Sequence, residues 1–450
     1  MSWFRTVAWR LVCRLVVSCL VFGAAPAALA QVTYPGGAPC DGTLQACIDG
    51  VAAGATIEIA TAMPIDEDLT IDKDLTLRAA AGVTATLLAG AGQNVILLTD
   101  STGAAAIRIE GLLLVRTTVA VLGVSDGSVF SVIGNRFLDD DGSEYAVDAR
   151  LSAELDLLVE LNEFEWTGPT MLLRTSGFQE TDIIEAVVRA NRLTSNTSDE
   201  ILGPSAGGVL VEAGGEPWLQ VRLDSNVLFD LASVGGPAGI EVTQVPSGVI
   251  SISAAPSVNA DIVNNTLHQI SGGGPAMEFV GPSFTPIAEG PGGLLAYVYN
   301  NIVSTTAGPA FSVVEPLDNV IFRNDANDLF ANDAPLDIGT TLLGGATLMV
   351  DPQFVDGDNG DLRLASTSPL IDVGINGFPA VIPFPAFDIG PIDVSAGPRL
   401  IGTLVDLGAH EGAAQGTVVT EIPTASAPAL LALVASLMFG GVLVIRRSLG

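Results

Sequence analysis

Val132-Ile-Gly-Asn135-Arg-Phe137 returns as Val159-Glu-Leu-Asn162-Glu-Phe164 and again as Val188-Arg-Ala-Asn191-Arg-Leu193. Each copy is an alternating apolar run, an Asn, one further residue and a large apolar residue. Looser copies are Asp224-Ser-Asn226-Val-Leu228, Ile262-Val-Asn-Asn265-Thr-Leu267 and Val298-Tyr-Asn-Asn301-Ile-Val303, and a last trace ends at Asn324. The Asn residues recur at intervals of roughly 20 to 40 residues, the spacing of a stacked repeat. Between them, short runs alternate apolar and polar: Ile57 with Ile59, Leu69 with Ile71, Leu75 with Leu77, Ile107 with Ile109, Val147 with Ala149 and Leu151. Gly, Asp or Pro bounds each run, which reads as strand. Only Gly42 to Ala52 has helical texture. One Asn per repeat has a physical reason. Asn tolerates the left-handed backbone of a sharp bend, and stacked Asn side chains can hydrogen-bond as a ladder. The expectation is an all-β parallel β-helix, its coils about 4.8 Å apart around a continuous apolar column. A propeller would carry a signature in each blade, and in a β-sandwich the recurring Asn would be coincidence.

Composition narrows the function. The 450 residues include 50 acidic and 18 basic side chains, a net charge of −32, yet only 15% are charged and 48% are hydrophobic. That much apolar content excludes a disordered acidic chain. The charge excludes nucleic acid as a partner, because nothing would neutralise the phosphates. Lysine occurs once, at Lys73, and histidine twice, at His268 and His410.

The two ends read as addresses. Arg5, Arg10 and Arg14 precede the apolar Leu15 to Ala25, and Ala28-Leu29-Ala30 is an A-x-A cleavage site. Residues 1–30 are therefore expected to be a signal peptide. Pro428 to Ile445 is apolar, long enough at about 27 Å for a bilayer core, and is followed by Arg446-Arg447. A transmembrane helix over 425–447 with a basic stop leaves the bulk of the chain outside. Cys40 and Cys47 are the only cysteines after the signal, and in an exported chain they are expected to pair.

Three stretches resemble known families. Gly42-Thr-Leu-Gln-Ala-Cys-Ile-Asp49, Gly54-Ala-Thr-Ile-Glu-Ile59 and Leu69-Thr-Ile-Asp-Lys-Asp-Leu-Thr-Leu77 are similar to the start of right-handed parallel β-helix proteins of the pectate-lyase-like type. The resemblance implies a short capping helix, which a Cys40–Cys47 bridge would staple. Residues 349–411 resemble a choice-of-anchor Q domain through Asp351-Pro-Gln-Phe354, Asn359-Gly-Asp-Leu-Arg-Leu364, Ser368-Pro-Leu-Ile-Asp-Val-Gly374 and Asp406-Leu-Gly-Ala-His-Glu411. In that family the segment ends a β-helix and precedes a sorting tail. Ile422, Pro423 and Thr424, the apolar span and Arg446-Arg447 look like an exosortase-type sorting signal of Gram-negative bacteria of the Ile-Pro-Thr-Leu variety, with Ala425 in place of Leu. The expected organisation is a signal peptide (1–30), a capped β-helix (31–345), a choice-of-anchor Q-like segment (346–411), a linker (412–424) and a sorting helix (425–447).

Candidate chemistry is sparse. A polysaccharide lyase needs a basic residue near a bound cation. Lys73 lies between two acids and reads as a solvated pair, and Arg150, Arg174, Arg189 and Arg192 read as outward strand residues. A glycoside hydrolase needs two flanking carboxylates, but adjacency in Asp139-Asp140-Asp141 says little. Packing is the expected role of both histidines. Asp356, Asp358 and Asp361 alternate around glycines as in calcium loops, without the distal Glu of an EF-hand, so calcium is the one candidate cofactor. No catalytic residue is assigned. The expectation is an exported, surface-sorted bacterial protein, structural, adhesive or carbohydrate-binding. Its expected partners are the export machinery, a sorting protease and polysaccharide. A polysaccharide lyase or glycoside hydrolase is the alternative. The chain would sit at the cell surface, be released from it, or stay membrane-tethered facing the periplasm.

Overall fold

The computed structural model describes residues 30–412 except 91, 140–144, 168–169, 176–182, 196–207, 215–217, 232–238, 245–257, 282–293, 315–319, 339–346, 379–386 and 389. Ala30 is exposed at the edge of this range. The remainder of the signal, Ile422, Pro423, Thr424, Arg446 and Arg447 lie outside it. No helix among the described residues is long and apolar enough to cross a membrane.

The chain winds through three sheets in a fixed order. Leu155–Glu160 belongs to the first, Glu163–Trp166 to the second, Met171–Thr175 to the third, and Ile183–Arg189 returns to the first. Within these three sheets all pairing is parallel, and each strand between the two edges pairs with its counterparts one coil before and after. The result is a parallel β-helix with sheets of 11, 9 and 10 strands among the described residues. Alternation in sequence becomes alternation in space. In the first sheet Ile109, Val132, Val159, Val188, Leu223, Ile262 and Val298 stack inward in register, all essentially without solvent exposure. The apolar residue that ends each Asn phrase forms a second inward column: Phe137, Phe164, Leu193, Leu228, Leu267 and Val303. Phe137 and Phe164 stack with ring centroids 4.6 Å apart. Each such side chain contributes about 1.5–3 kcal/mol by leaving water.

The Asn residues sit at the corner between the first and second sheets and form a ladder. The main-chain N–H of Asn162 donates to Asn191 Oδ1 at 2.9 Å, and Asn162 Nδ2 donates to the same oxygen at 3.0 Å. Its other Nδ2 hydrogen reaches back to the Val132 carbonyl at 2.8 Å. Asn135, Asn191, Asn226, Asn265 and Asn301 repeat the pattern. All are at most 2% exposed. Each amide is thus fully satisfied in a place water does not reach.

Two expectations need correcting. The left-handed residue is not the ladder Asn but the residue before it: Gly134, Leu161, Ala190, Ser225, Asn264, Asn300 and Ala326 all have φ between 52° and 62°. The ladder Asn is selected for its side-chain amide. Asn324 is also not a rung. It pairs with Val298 in the first sheet, and the rung after Asn301 is Asn327, 26 residues on. Asn324 terminates the ladder instead, because Asn327 has no following Asn and donates its Nδ2 to Asn324 Oδ1.

At the N-terminus, helix α1 (Leu44–Gly50) caps the first coil. Thr43 Oγ1 accepts from the Ala46 N–H, and the Glu67 carboxylate accepts from Leu44 and Gln45, each at 3.1 Å. Cys40 and Cys47 are disulfide-bonded. Lys73 is not a solvated partner of its flanking acids: Nζ donates to the carbonyls of Asp49 and Val51 at 3.0 and 2.8 Å and closes the helix C-terminus.

The described residues between 347 and 412 pack on the outer face of the second sheet. Leu362 and Ala409 pack on Val227, and Leu370 and Leu407 pack on Ile302. Asn300 exchanges two hydrogen bonds of 2.9 Å with the main chain of Ile375, and Thr266 Oγ1 accepts from the Ala409 N–H at 2.8 Å. Buried Arg399 donates to the carbonyls of Asp406 and Gly408. Asp406 and Glu411 accept main-chain N–H groups around it. Gly408 has φ +84°, and a Cβ there would lie 2.5 Å from Thr266 Oγ1.

Replacing Asn191 by Ala strips partners from the Asn162 N–H and Nδ2 and from the Val159 carbonyl. It is expected to lower the unfolding free energy by about 3 kcal/mol or more in urea titration; a loss under about 1 kcal/mol would mean the ladder is dispensable. Gly408→Ala is expected to loosen residues 347–412 alone, read as faster amide exchange there with the ladder unchanged.

Candidate functional site

The position four residues ahead of each ladder Asn faces outward in the middle of the first sheet. In successive coils it is Arg222, Asp261, Tyr297 and Arg323, in register. Strand alternation fixes their direction, and parallel pairing sets them about 4.8 Å apart. Arg222 forms an ion pair with Asp224 at 2.8 Å, and Arg323 with Asp325 at 3.2 Å. Burial pushes the Asp261 carboxyl up to about 6; Arg222 opposes the shift and Asp224 adds to it. Burial pushes Tyr297 up to about 12, with Asp261 adding and Arg323 opposing. The Tyr297 and Tyr299 rings lie 5.9 Å apart. The row therefore offers an aromatic face beside hydrogen-bonding groups of both kinds. Sequence reading missed it, although the constant offset from the Asn was there to be used. Taking Asn324 as a rung displaced Arg323 from that alignment.

A second group lies outward on the third sheet. Glu241 and Glu278 are directly paired. Burial, then Glu278 and then Glu212, push Glu241 up to about 7, and burial raises Glu278 against a hydrogen bond from Ser312. Arg150 and Arg174 pair in the same sheet, and each is held by a carboxylate, Asp148 and Glu212 respectively.

This engagement is general. Arg78, Arg108, Arg136, Arg189 and Arg363 also sit against carboxylates. Arg116 donates to the Ala89 carbonyl and Arg192 to that of Gly360. Lys73 closes α1 through two main-chain carbonyls.

The sequence candidates for calcium do not converge. Asp356 accepts both its bonds from Asn359 Nδ2, Asp358 faces Gln269, and Asp361 is held by Arg363 at 2.8 Å. The hairpin of Phe354–Asp356 and Asp361–Leu364 turns through Gly357–Asn359 and sends these carboxylates to separate partners. Among the described residues no cluster of three or more His, Cys, Asp or Glu side chains is placed to hold a metal ion. His268 is buried on the second sheet, with Nδ1 2.8 Å from Ser304 Oγ and its ring edge-on to Phe354. His410 is half-buried at a cleft shared with Arg363 and Asp361.

The shifted groups make stability depend on pH. Burial places Glu411 at about 7 and Asp328 at about 6, beside Glu241 and Asp261. Between their unfolded values near 4 and these folded values, the native state binds more protons than the unfolded chain. Their stabilisation is therefore present at low pH and lost as pH rises through about 5 to 7. His410, which burial lowers to about 4, and His268, lowered in the same way, act oppositely below about pH 6.5. The carboxylates outnumber them, so a higher Tm is expected at about pH 5.5 than at about pH 8. A Tm that climbs across this interval would show that these carboxyls are solvated and ionised. No family model matches the chain, and no curated protein matches it.

Proposed function

We propose that this is an exported bacterial surface protein whose β-helix is a non-catalytic scaffold that binds neutral polysaccharide along its first sheet. The carrying observation is the row Arg222, Asp261, Tyr297 and Arg323, one side chain per coil. A spacing of about 4.8 Å is comparable to one pyranose unit. A glycan laid parallel to the solenoid axis would meet a new polar or aromatic group at each sugar. Tyr297 offers a stacking face, and the paired arginines and Asp261 offer donors and acceptors. The engaged arginines leave little charge to attract a polyanion, and the net charge of −32 repels one.

Export and sorting rest on the residues of the two ends. A signal peptide ending at Ala30 delivers the chain. Residues 346–411 act as a choice-of-anchor Q-like module, and Ile422, Pro423 and Thr424 with the apolar span and Arg446-Arg447 present it to a sorting protease. Right-handed winding accompanies this reading. Mass spectrometry of the mature protein is expected to show a C-terminus ahead of Arg446; an intact Arg446-Arg447 would leave a membrane-tethered protein instead.

Glycoside hydrolysis has one observation in its favour, the Glu241–Glu278 pair with its raised carboxyls. A panel of neutral and acidic polysaccharides separates the two readings. Binding without turnover, weakened about tenfold or more by Tyr297→Ala, is the expected result. Turnover abolished by Glu241→Gln would make the protein an enzyme.

A further inference from the structure

Arg192, like Arg116, is bonded to a main-chain carbonyl rather than held by a carboxylate, and its surroundings are independent of the first-sheet row. It begins the second-sheet strand Arg192–Ser195 and faces the hairpin of residues 354–364. One Nη2 hydrogen goes to the Gly360 carbonyl at 3.1 Å. Among the described residues no carboxylate lies within ion-pair distance of it. Asn359, Asp361, Arg363 and His410 line a cleft with it. A neighbouring cleft shares Arg363 and His410 and is completed by Asp393, Ser395 and Glu411.

The polar groups of this cleft divide unevenly. The acids have their oxygens engaged. Asp361 is held by Arg363. Asp393 accepts from the N–H groups of Ser395, Gly397 and Glu411. Glu411 accepts from Ile401 and Asp406. The donors are less committed. Arg192 has spent one hydrogen. Arg363 is 63% exposed and bonds Asp361 through Nε and Nη2 only. His410 has Nδ1 3.2 Å from Ser395 Oγ, and Nε2 has no partner among the described residues. Burial holds the ring neutral, with Asp393 and Asp361 opposing and Arg399 and Arg192 assisting. A neutral imidazole that accepts the Ser395 hydroxyl on Nδ1 carries its proton on Nε2 and donates from there.

We infer that the cleft bounded by Arg192, Arg363 and His410 binds a small oxyanion, a carboxylate or phosphate group, through these three donors. The uncommitted N–H groups of the two guanidinium ions suit the planar or tetrahedral array of such oxygens, and the imidazole, in the tautomer whose Nδ1 accepts the Ser395 hydroxyl, supplies a third, directional N–H. A bound anion also changes the electrostatics of His410: it favours the protonated ring and lifts its pKa toward neutrality. The ligand could be an acidic sugar or a phosphorylated one, and the two are separable by experiment.

The chain has only two histidines, so proton NMR of the imidazole Cε1–H resolves them, with His410→Gln giving the assignment. Galacturonate, glucose 6-phosphate and inorganic phosphate are added separately to the full-length protein at constant ionic strength. The inference expects a saturable His410 shift with millimolar affinity and a rise in its pKa of about one unit or more. Arg192→Gln is expected to weaken the effect about tenfold or more with Tm retained. Should that variant fail to fold, the exposed Arg363→Gln is expected to weaken it likewise. A response to galacturonate alone assigns a carboxylate site, and a response to the phosphates alone assigns a phosphate site. No saturable shift with any probe at tens of millimolar, or an equal shift in the variants, overturns the inference. None of these outcomes depends on polysaccharide binding at the first sheet.

Discussion

The buried amide of Asn191 makes one rung of a hydrogen-bond system that closes only when coils stack in one register. Its Oδ1 accepts twice from Asn162, and its Nδ2 donates once forward to Asn226 and once back to the Val159 carbonyl. A one-residue slip would put Ala190 or Arg192, neither of which has a side-chain acceptor, where two donors expect an oxygen, and would turn every strand residue to the wrong face. The apolar columns supply most of the favourable free energy. Leu, Val and Phe are interchangeable enough that columns alone would tolerate misalignment. The ladder removes that tolerance, because unpaired amides in a dry corner are expensive.

This corner also determines which faces can carry function. From Asn135 onward one left-handed residue and one Asn turn the chain from the first sheet to the second, and length varies in the connections that enter and leave the third sheet. In the first coils the same corner is longer, with six residues between Ala79 and Thr86. The described residues of 347–412 cover the later coils of the second sheet, fastened to the ladder corner by Asn300 and to the outer face by Thr266, while buried Arg399 braces the segment from within. The first and third sheets keep the outward rows from which a long ligand would be read, and the edge of the covering segment forms the cleft around Arg192 and His410. The acidic surface is built from carboxylates that hold arginines in place or close turns, so its composition reflects local structure as well as solubility.

Much of this was legible because strand geometry has a strict period. The Asn phrase located the corner, and its final apolar residue marked the inner column through Phe137 and Phe164. Asp406-Leu-Gly-Ala-His-Glu411 packs on the second sheet, where Ala409 donates to Thr266 and Glu411 accepts main-chain N–H groups near Arg399. What escaped reading depended on three-dimensional neighbours. Asn324 and Asn327 stand three residues apart, and only pairing with Val298 shows that the first is a strand residue and the second a rung. Lys73 seemed to belong with its flanking acids, but helix α1 presents carbonyls to it from the previous coil. Asp356, Asp358 and Asp361 have calcium-loop spacing, yet the turn at Gly357–Asn359 points them to different partners. The outward row needed the correct rung before its offset could be counted.

The account stands on the ladder, and hydrogen exchange tests it directly. The main-chain amides of Asn162, Asn191, Asn226 and Asn265 have side-chain oxygens as acceptors and belong to no sheet ladder. An isolated turn would leave such amides to exchange quickly. The account predicts that they exchange as slowly as the central first-sheet amides, opening only with global unfolding. Exchange of these four amides at the rate of exposed turns, with the neighbouring strands still protected, would contradict it.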